Sequence, residues 1–299
     1  MNKTVIGHIG ALISVIIWGT TFVSTKILLK DFAPLEILFL RFVMGFLALT
    51  AASPKRMKTE GWKEERWYML AGISGVTLYY FMENLALTYT LASNVSVIVS
   101  SAPFFTALLA MFFVKDEKPK RSFFVGFVFA MAGIALISFQ GNGELRLNPI
   151  GDLVALVAAF WWGIYSVALK KITTYNRNMT AVTKRIFFWG LVFMVPFVFL
   201  TGFHPSVSKI WKPVNLFNLV FLGLGASAFC FAAWNYAIER LGALKSSVYI
   251  YLVPVITLVA AYVILGERIT LLGAAGTALT LLGLALSEFK GGKKNHGKK

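Results

Sequence analysis

Apolar residues run through this chain in long stretches, separated by short polar and basic segments. Ten such stretches, at 5–28, 34–52, 68–89, 92–114, 121–139, 150–171, 180–201, 215–238, 243–265 and 269–288, are each roughly 20 residues long. That length lets a helix cross about 30 Å of hydrocarbon. The pattern predicts an all-α integral membrane protein with ten transmembrane helices. The first stretch is too long for a secretory signal and has no small-residue cleavage site, so it is expected to remain in the mature chain.

The stretches repeat. Asn84-x7-Ala92-x10-Pro103-x2-Thr106 returns with identical spacing as Asn235-x7-Ala243-x10-Pro254-x2-Thr257. Glu117-Lys118-x7-Gly126-x3-Ala130-x2-Gly133 returns as Glu267-Arg268-x7-Gly276-x3-Thr280-x2-Gly283, and Trp18-Gly19-x6-Lys26 as Trp162-Gly163-x6-Lys170. Two five-helix repeats are expected, residues 1–145 and 146–290, followed by a basic disordered tail at 291–299. Five is odd, so the second half enters the membrane from the opposite side. Inverted repeats of this kind give transporters two similar gates of opposite orientation around a midplane site.

Charge sets the orientation. Charged residues make up 14% of the chain, against about 25% in soluble domains, as expected if most of the surface faces lipid. A net charge of +16 would suggest nucleic acid in a soluble protein. Here the basic residues cluster between apolar runs, with no basic stripe and no binding motif, which argues against nucleic acid as a partner. With the N-terminus inside, twenty Lys and Arg at or beyond the ends of the spans fall on the cytoplasmic side and six on the other. This bias places both termini in the cytoplasm, in a cell (cytoplasmic or inner) membrane, with the Lys293 to Lys299 tail in contact with anionic lipid. The one cysteine, Cys230, excludes an internal disulfide, and His8, His204 and His296 lack metal-ligand spacing. No nucleophile–base pair, phosphate loop or nucleotide fingerprint is present, so no cofactor and no ATP hydrolysis are expected.

Polar groups inside spans are costly and each needs a role. Glu83 lies about 9 Å and Arg41 about 10 Å below the outer surface, counting about 1.5 Å per helical residue. For Arg41 the reading is a structural charge, paired or snorkelling; for Glu83 it is either a partner of Arg41 or a cavity-facing group that binds a cation or a proton. In the repeat, Glu83-Asn84 corresponds to Trp234-Asn235. The amide is kept and the acid is replaced, an asymmetry that would orient a ligand. Asn84 and Asn235 serve either as helix-to-helix glue or as ligand contacts. Tyr79 and Tyr80 share a helical face with Glu83 and serve either as core or as ligand wall. Pro103 and Pro254, mid-span, remove a hydrogen bond and clash with the carbonyls of Val99 and Ile250, making each either a hinge or a static kink. Gly126, Ala130 and Gly133, and Gly276, Thr280 and Gly283, form small-residue faces for close helix packing or for a dimer seam. Glu117 and Glu267 fall at helix ends.

Trp18-Gly19-Thr20-Thr21-Phe22, Pro34, Arg41-Phe42, the second Trp162-Gly163 and the Leu265-Gly266-Glu267-Arg268 ending resemble the EamA family of the drug/metabolite transporter superfamily. The second half departs from the pattern: no proline matches Pro34, and Lys184-Arg185 only roughly mirrors Arg41. The resemblance implies a ten-helix carrier with a central cavity that exports amino acids, other metabolites or amphipathic toxic compounds. The reading is therefore a secondary, alternating-access carrier, not an enzyme, that exports amino acids or related small metabolites. Its expected partners are a small-molecule substrate, the lipid bilayer and, as coupling ion through Glu83, protons; a passive facilitator fits as well. The expected cavity residues are Trp18, Thr21, Tyr80, Glu83, Asn84, Trp162, Tyr165 and Asn235, and the protein is expected as a monomer or homodimer. The rivals are an intramembrane enzyme acting on lipid-linked substrates, an exporter of amphipathic cations or drugs, and a structural or sensory membrane protein.

Overall fold

The computed structural model describes residues 2–90, 92–114, 118–138, 148–200, 203, 205–265 and 271–288. Glu117, Glu267, His204 and the 291–299 tail lie outside the described residues. Among the described residues every regular element is helical. Helix α1 spans Lys3–Leu28 and α2 spans Pro34–Ala52. Helix α3 runs Trp62–Ala71, widens into a π-helical stretch at Gly72–Leu78 and continues as Tyr79–Tyr89. Helix α4 comprises Ala92–Val99 and Ala102–Phe113, and α5 is Arg121–Ser138. Helices α6 and α7 are Pro149–Thr173 and Met179–Leu200, followed by a one-turn helix, Val207–Ile210. Helix α8 runs Pro213–Val220, a second π-helical stretch Phe221–Phe229, then Cys230–Leu241. Helix α9 runs Ala243–Val248, a 3-10 turn at Tyr249–Leu252, then Val253–Leu265, and α10 is Leu271–Glu288.

Seven helical runs among the described residues are long and apolar enough to cross a membrane; α5 and α10 hold shorter apolar helices. The outside of the bundle is greasy: Phe112, Phe199, Leu200 and Leu271 are between 76% and 89% exposed. Contiguous apolar surface of this kind is what lipid solvates, and the chain is a multi-pass membrane protein.

Packing contacts come in matched pairs. Helix α1 lies on α8, and α6 on α3; α2 meets the π-helical stretch of α8, and α7 that of α3; α6 lies on α4, and α1 on α9. Helices α2 and α7 pack on each other, and so do α5 and α10. The Trp-Gly motifs explain two of these contacts. A Cβ on Gly19 would stand 2.6 Å from Ile256, and one on Gly163 would stand 2.9 Å from Phe105, so each glycine lets its helix close on the segment after a proline. The Thr257 hydroxyl ties the first contact by donating to the Gly19 carbonyl at 2.8 Å.

The prolines act differently from the sequence expectation. Pro103 and Pro254 are each the second residue of a new helical segment, after a break at Ser100–Ser101 and after the 3-10 turn. In a first helical turn proline has no hydrogen bond to lose and no carbonyl to strike. Both are therefore helix starters; the expected clash with Val99 and Ile250 is absent because the helix has already ended. Ser100 and Ser101 turn their hydroxyls to the carbonyls of Ser96 and Ile98, both at 2.6 Å.

Candidate functional site

The middle of the bundle is an aromatic cluster with polar groups set into it. Trp18 of α1 and Trp162 of α6 meet edge to face at 5.3 Å between ring centroids, and Trp234 of α8 lies 5.1 Å from Trp18. Tyr79 packs 4.8 Å from Trp162 and 4.6 Å from Tyr80. Phe42, Phe187 and Phe231 complete the cluster beside Tyr80. Every cavity residue expected from the sequence is buried: Trp18, Thr21, Tyr80, Glu83, Asn84, Trp162, Tyr165 and Asn235. Trp18, Tyr80, Trp162 and Tyr165 join the cluster directly, while Thr21 turns its hydroxyl back to the Trp18 carbonyl at 2.7 Å.

The two asparagines bridge helices. The Tyr165 hydroxyl donates to the Asn235 carbonyl oxygen, whose amide in turn donates to Thr183 Oγ1 at 2.9 Å. The Asn84 amide donates to the Pro34 carbonyl at 3.2 Å, and its Oδ1 is buried without a partner. Thr183 was missed by sequence reading, because a hydroxyl near the start of a span carries no signal of its own. Phe231 was missed too, as one phenylalanine among 27, and Trp234 was visible only as the counterpart of Glu83 in the repeat.

Two charges sit in this apolar setting. The Glu83 carboxyl interacts with the Tyr79 hydroxyl and feels the Arg41 charge. Arg41 is fully buried; its Nε donates to Ser227 Oγ at 2.9 Å, from the π-helical stretch of α8. Its guanidinium lies over the Tyr80 ring, 4.5 Å from the centroid. Nη1 and Nη2 have no hydrogen-bond partner. Arg41 and Glu83 are thus buried beside the same aromatic cluster without a direct ion pair between them.

The ends of the bundle are closed by charge. Asp31, between α1 and α2, accepts from Asn215 at 2.8 Å and pairs with Lys212 at 3.0 Å. Hydrogen bonds from Asn215 and then Lys212 hold its carboxyl below the ordinary carboxylate range. At the other end of α2, Arg177 grips Glu64 with two bonds, at 3.1 and 3.0 Å, and reaches Glu60 at 3.0 Å. Burial works to raise Glu64, but Arg177, the Glu60 backbone and Tyr68 outweigh it, and the group titrates below its usual range. Beside it, Arg185 pairs with Glu65 at 2.8 Å and Trp189 donates to the same carboxylate. The chain therefore treats Arg185, the rough mirror of Arg41, as an ion-paired residue at the bundle end.

A model of the EamA-like transporter family matches the chain twice, at residues 5–139 and 149–289. The chain belongs to the EamA-like transporter family. An uncharacterised transporter of Archaeoglobus fulgidus is 31% identical over 95% of this chain and 97% of its own length. A protein of Streptantibioticus cattleyicolor named as a probable terminal-alkyne amino-acid exporter is 28% identical over 92% of this chain and 90% of its own. A solved crystal structure shares the fold, with a TM-score of 0.71 over 96% of each chain at 21% identity. This EamA-family chain is accordingly a membrane transporter, and the enzyme reading gives way to it.

Proposed function

We propose that this chain is a secondary carrier that exports amino acids or related small metabolites by alternating access. In this reading ten helices cross the cytoplasmic membrane as two inverted five-helix repeats, residues 1–145 and 146–290, with both termini in the cytoplasm. The observation that carries the proposal is the paired packing: the most extensive contacts between the halves, such as α1 on α8, have counterparts with the halves exchanged. An odd number of spans per half makes such an exchange an inversion, and a bundle of this kind has two equivalent ways to open. Support also comes from polar groups buried where the halves meet, and from the relative whose printed name is an amino-acid exporter.

Trp18, Thr21, Tyr80, Glu83, Asn84, Trp162, Tyr165 and Asn235 are proposed to line the site as it opens, with Pro103 and Pro254 at the helix breaks that absorb the bending. Glu83 is proposed to take the substrate's cationic group or the coupling proton, since a desolvated carboxyl changes charge readily. The test is flux into proteoliposomes with and without a pH gradient, for the wild type and Glu83→Gln. Uphill uptake driven by the gradient in the wild type, lost in Glu83→Gln at unchanged thermal stability, is the expected result. Flux that only equilibrates the substrate would remove the coupled mechanism, and an unfolded variant would return Glu83 to a structural role.

A further inference from the structure

Arg41 is a buried cation with two of its three guanidinium nitrogens idle. It is 0% exposed, and Nη1 and Nη2 have no partner. Among the described residues no carboxylate lies within ion-pair distance of it. A buried charge left in this state is expensive unless something completes its hydrogen bonds. What holds it is anchoring: Nε is fixed by Ser227, and the guanidinium plane is backed by Tyr80 at 4.5 Å and flanked by Phe42 at 5.4 Å. An arginine held by Nε and one face leaves its two terminal nitrogens presented as a fork, the geometry that receives a carboxylate bidentately. Its anchor sits on a π-helical stretch, a distortion that recurs at ligand sites.

We infer that Arg41 is the carboxylate-binding residue of the site, and that with Glu83 on the ammonium group it selects zwitterionic α-amino acids with apolar or aromatic side chains. The inference rests on the carrier reading above and names its substrate class. The two charges are buried beside the same rings and feel each other, yet do not pair directly, so each is left to meet the opposite charge of one ligand. The rings of Trp18, Trp162, Trp234, Tyr79 and Tyr80 supply the apolar wall and favourable faces for an ammonium group. A ligand with one charge leaves one protein group unpaired and binds less well.

Three probes that share a ring separate the roles: L-phenylalanine, 3-phenylpropanoate and 2-phenylethylamine, titrated against tryptophan fluorescence of the full chain in detergent. Wild type is expected to prefer L-phenylalanine over both single-charge probes by about tenfold or more. Arg41→Gln is expected to weaken L-phenylalanine and 3-phenylpropanoate by about tenfold or more while leaving 2-phenylethylamine within about threefold; Glu83→Gln should show the converse. Equal weakening of all three probes by Arg41→Gln, or none, overturns the assignment. So does a wild type that binds 2-phenylethylamine as tightly as L-phenylalanine, a comparison that needs no variant to fold. Wild-type binding without proteoliposome flux keeps the subsite and removes the carrier, so the two failures are distinguishable.

Discussion

Asn84 and Asn235 occupy the same place in the repeat and do different amounts of work. Asn235 stands between Tyr165 and Thr183, using its oxygen and its amide; Asn84 spends its amide on Pro34 and leaves Oδ1 unmatched. Removing Asn235 strands the buried Tyr165 hydroxyl, a penalty of about 1–3 kcal/mol at most and often less inside a membrane protein, and takes a donor from Thr183, which keeps its bond to the Met179 carbonyl. Removing Asn84 frees one carbonyl and relieves an orphaned oxygen. Asn235→Ala is therefore expected to lower the melting temperature in detergent clearly more than Asn84→Ala, and equal losses would show that the bridge carries no weight. The repeat made these residues findable, because equal spacing in two halves marks a position without knowing its partner. It did not reveal which asparagine was satisfied, since that depends on Tyr165 standing where the other half has Thr21. Arg41 and Arg185 teach the same lesson. Their partners, Ser227 in one case and Glu65 in the other, arrive from distant helices that spacing alone does not align.

Helices in lipid gain nothing from hiding apolar surface from one another, so close contact must come from small residues. Helices α5 and α10 show this: a Cβ on Gly133 would lie 2.5 Å from the Gly276 carbonyl oxygen, and one on Gly283 would lie 2.4 Å from the Ala130 nitrogen. The small faces that sequence reading left open between close packing and a dimer seam are spent within one chain. Gly133→Ala meets backbone, which cannot step aside, so overpacking of about 1–3 kcal/mol is expected. Gly225 meets only the Phe221 ring, at 3.6 Å, and its alanine variant should be neutral. Melting temperatures of the two variants check the difference, with the oligomeric state unchanged in both; a shift to a smaller assembly in Gly133→Ala would place the seam between chains instead. Helix positions were legible because roughly 20 apolar residues have few other uses. The π-helical stretches at Gly72–Leu78 and Phe221–Phe229 were not, as they follow from how neighbouring helices crowd the backbone. Prolines announced an interruption at the right places, though as the start of a helix instead of a bend within one.

The bundle is closed at both ends by clusters that answer each other across the repeat, Asp31 with Lys212 and Asn215 at one end, Glu64 with Arg177 at the other. The two are unequal. Lys212 is 54% exposed, and water competes for such a pair, whereas the Glu64 side chain is 0% exposed and accepts from Arg177, Tyr68 and the Glu60 backbone N–H. Exposed pairs resist little and buried, hydrogen-bonded ones resist removal strongly, so the Asp31 end is expected to open first. In the proposed orientation that end faces outward. Cys230, the chain's one cysteine, is buried against α1 beside the Arg41 charge and serves as a native reporter of opening. Asp31→Asn is expected to speed maleimide labelling of Cys230 from the outer side by less than about fivefold, and Glu64→Gln from the cytoplasmic side by about tenfold or more. Both carboxyls are held below their ordinary range. The stabilisation each contributes is complete above that range and is lost only as pH falls through the lowered value, so labelling of the wild type, corrected for the intrinsic rise of thiol reactivity with pH, should be flat from roughly pH 5 to 8. Acceleration from both sides alike in either variant would mean that these clusters stabilise the fold as a whole and do not gate it.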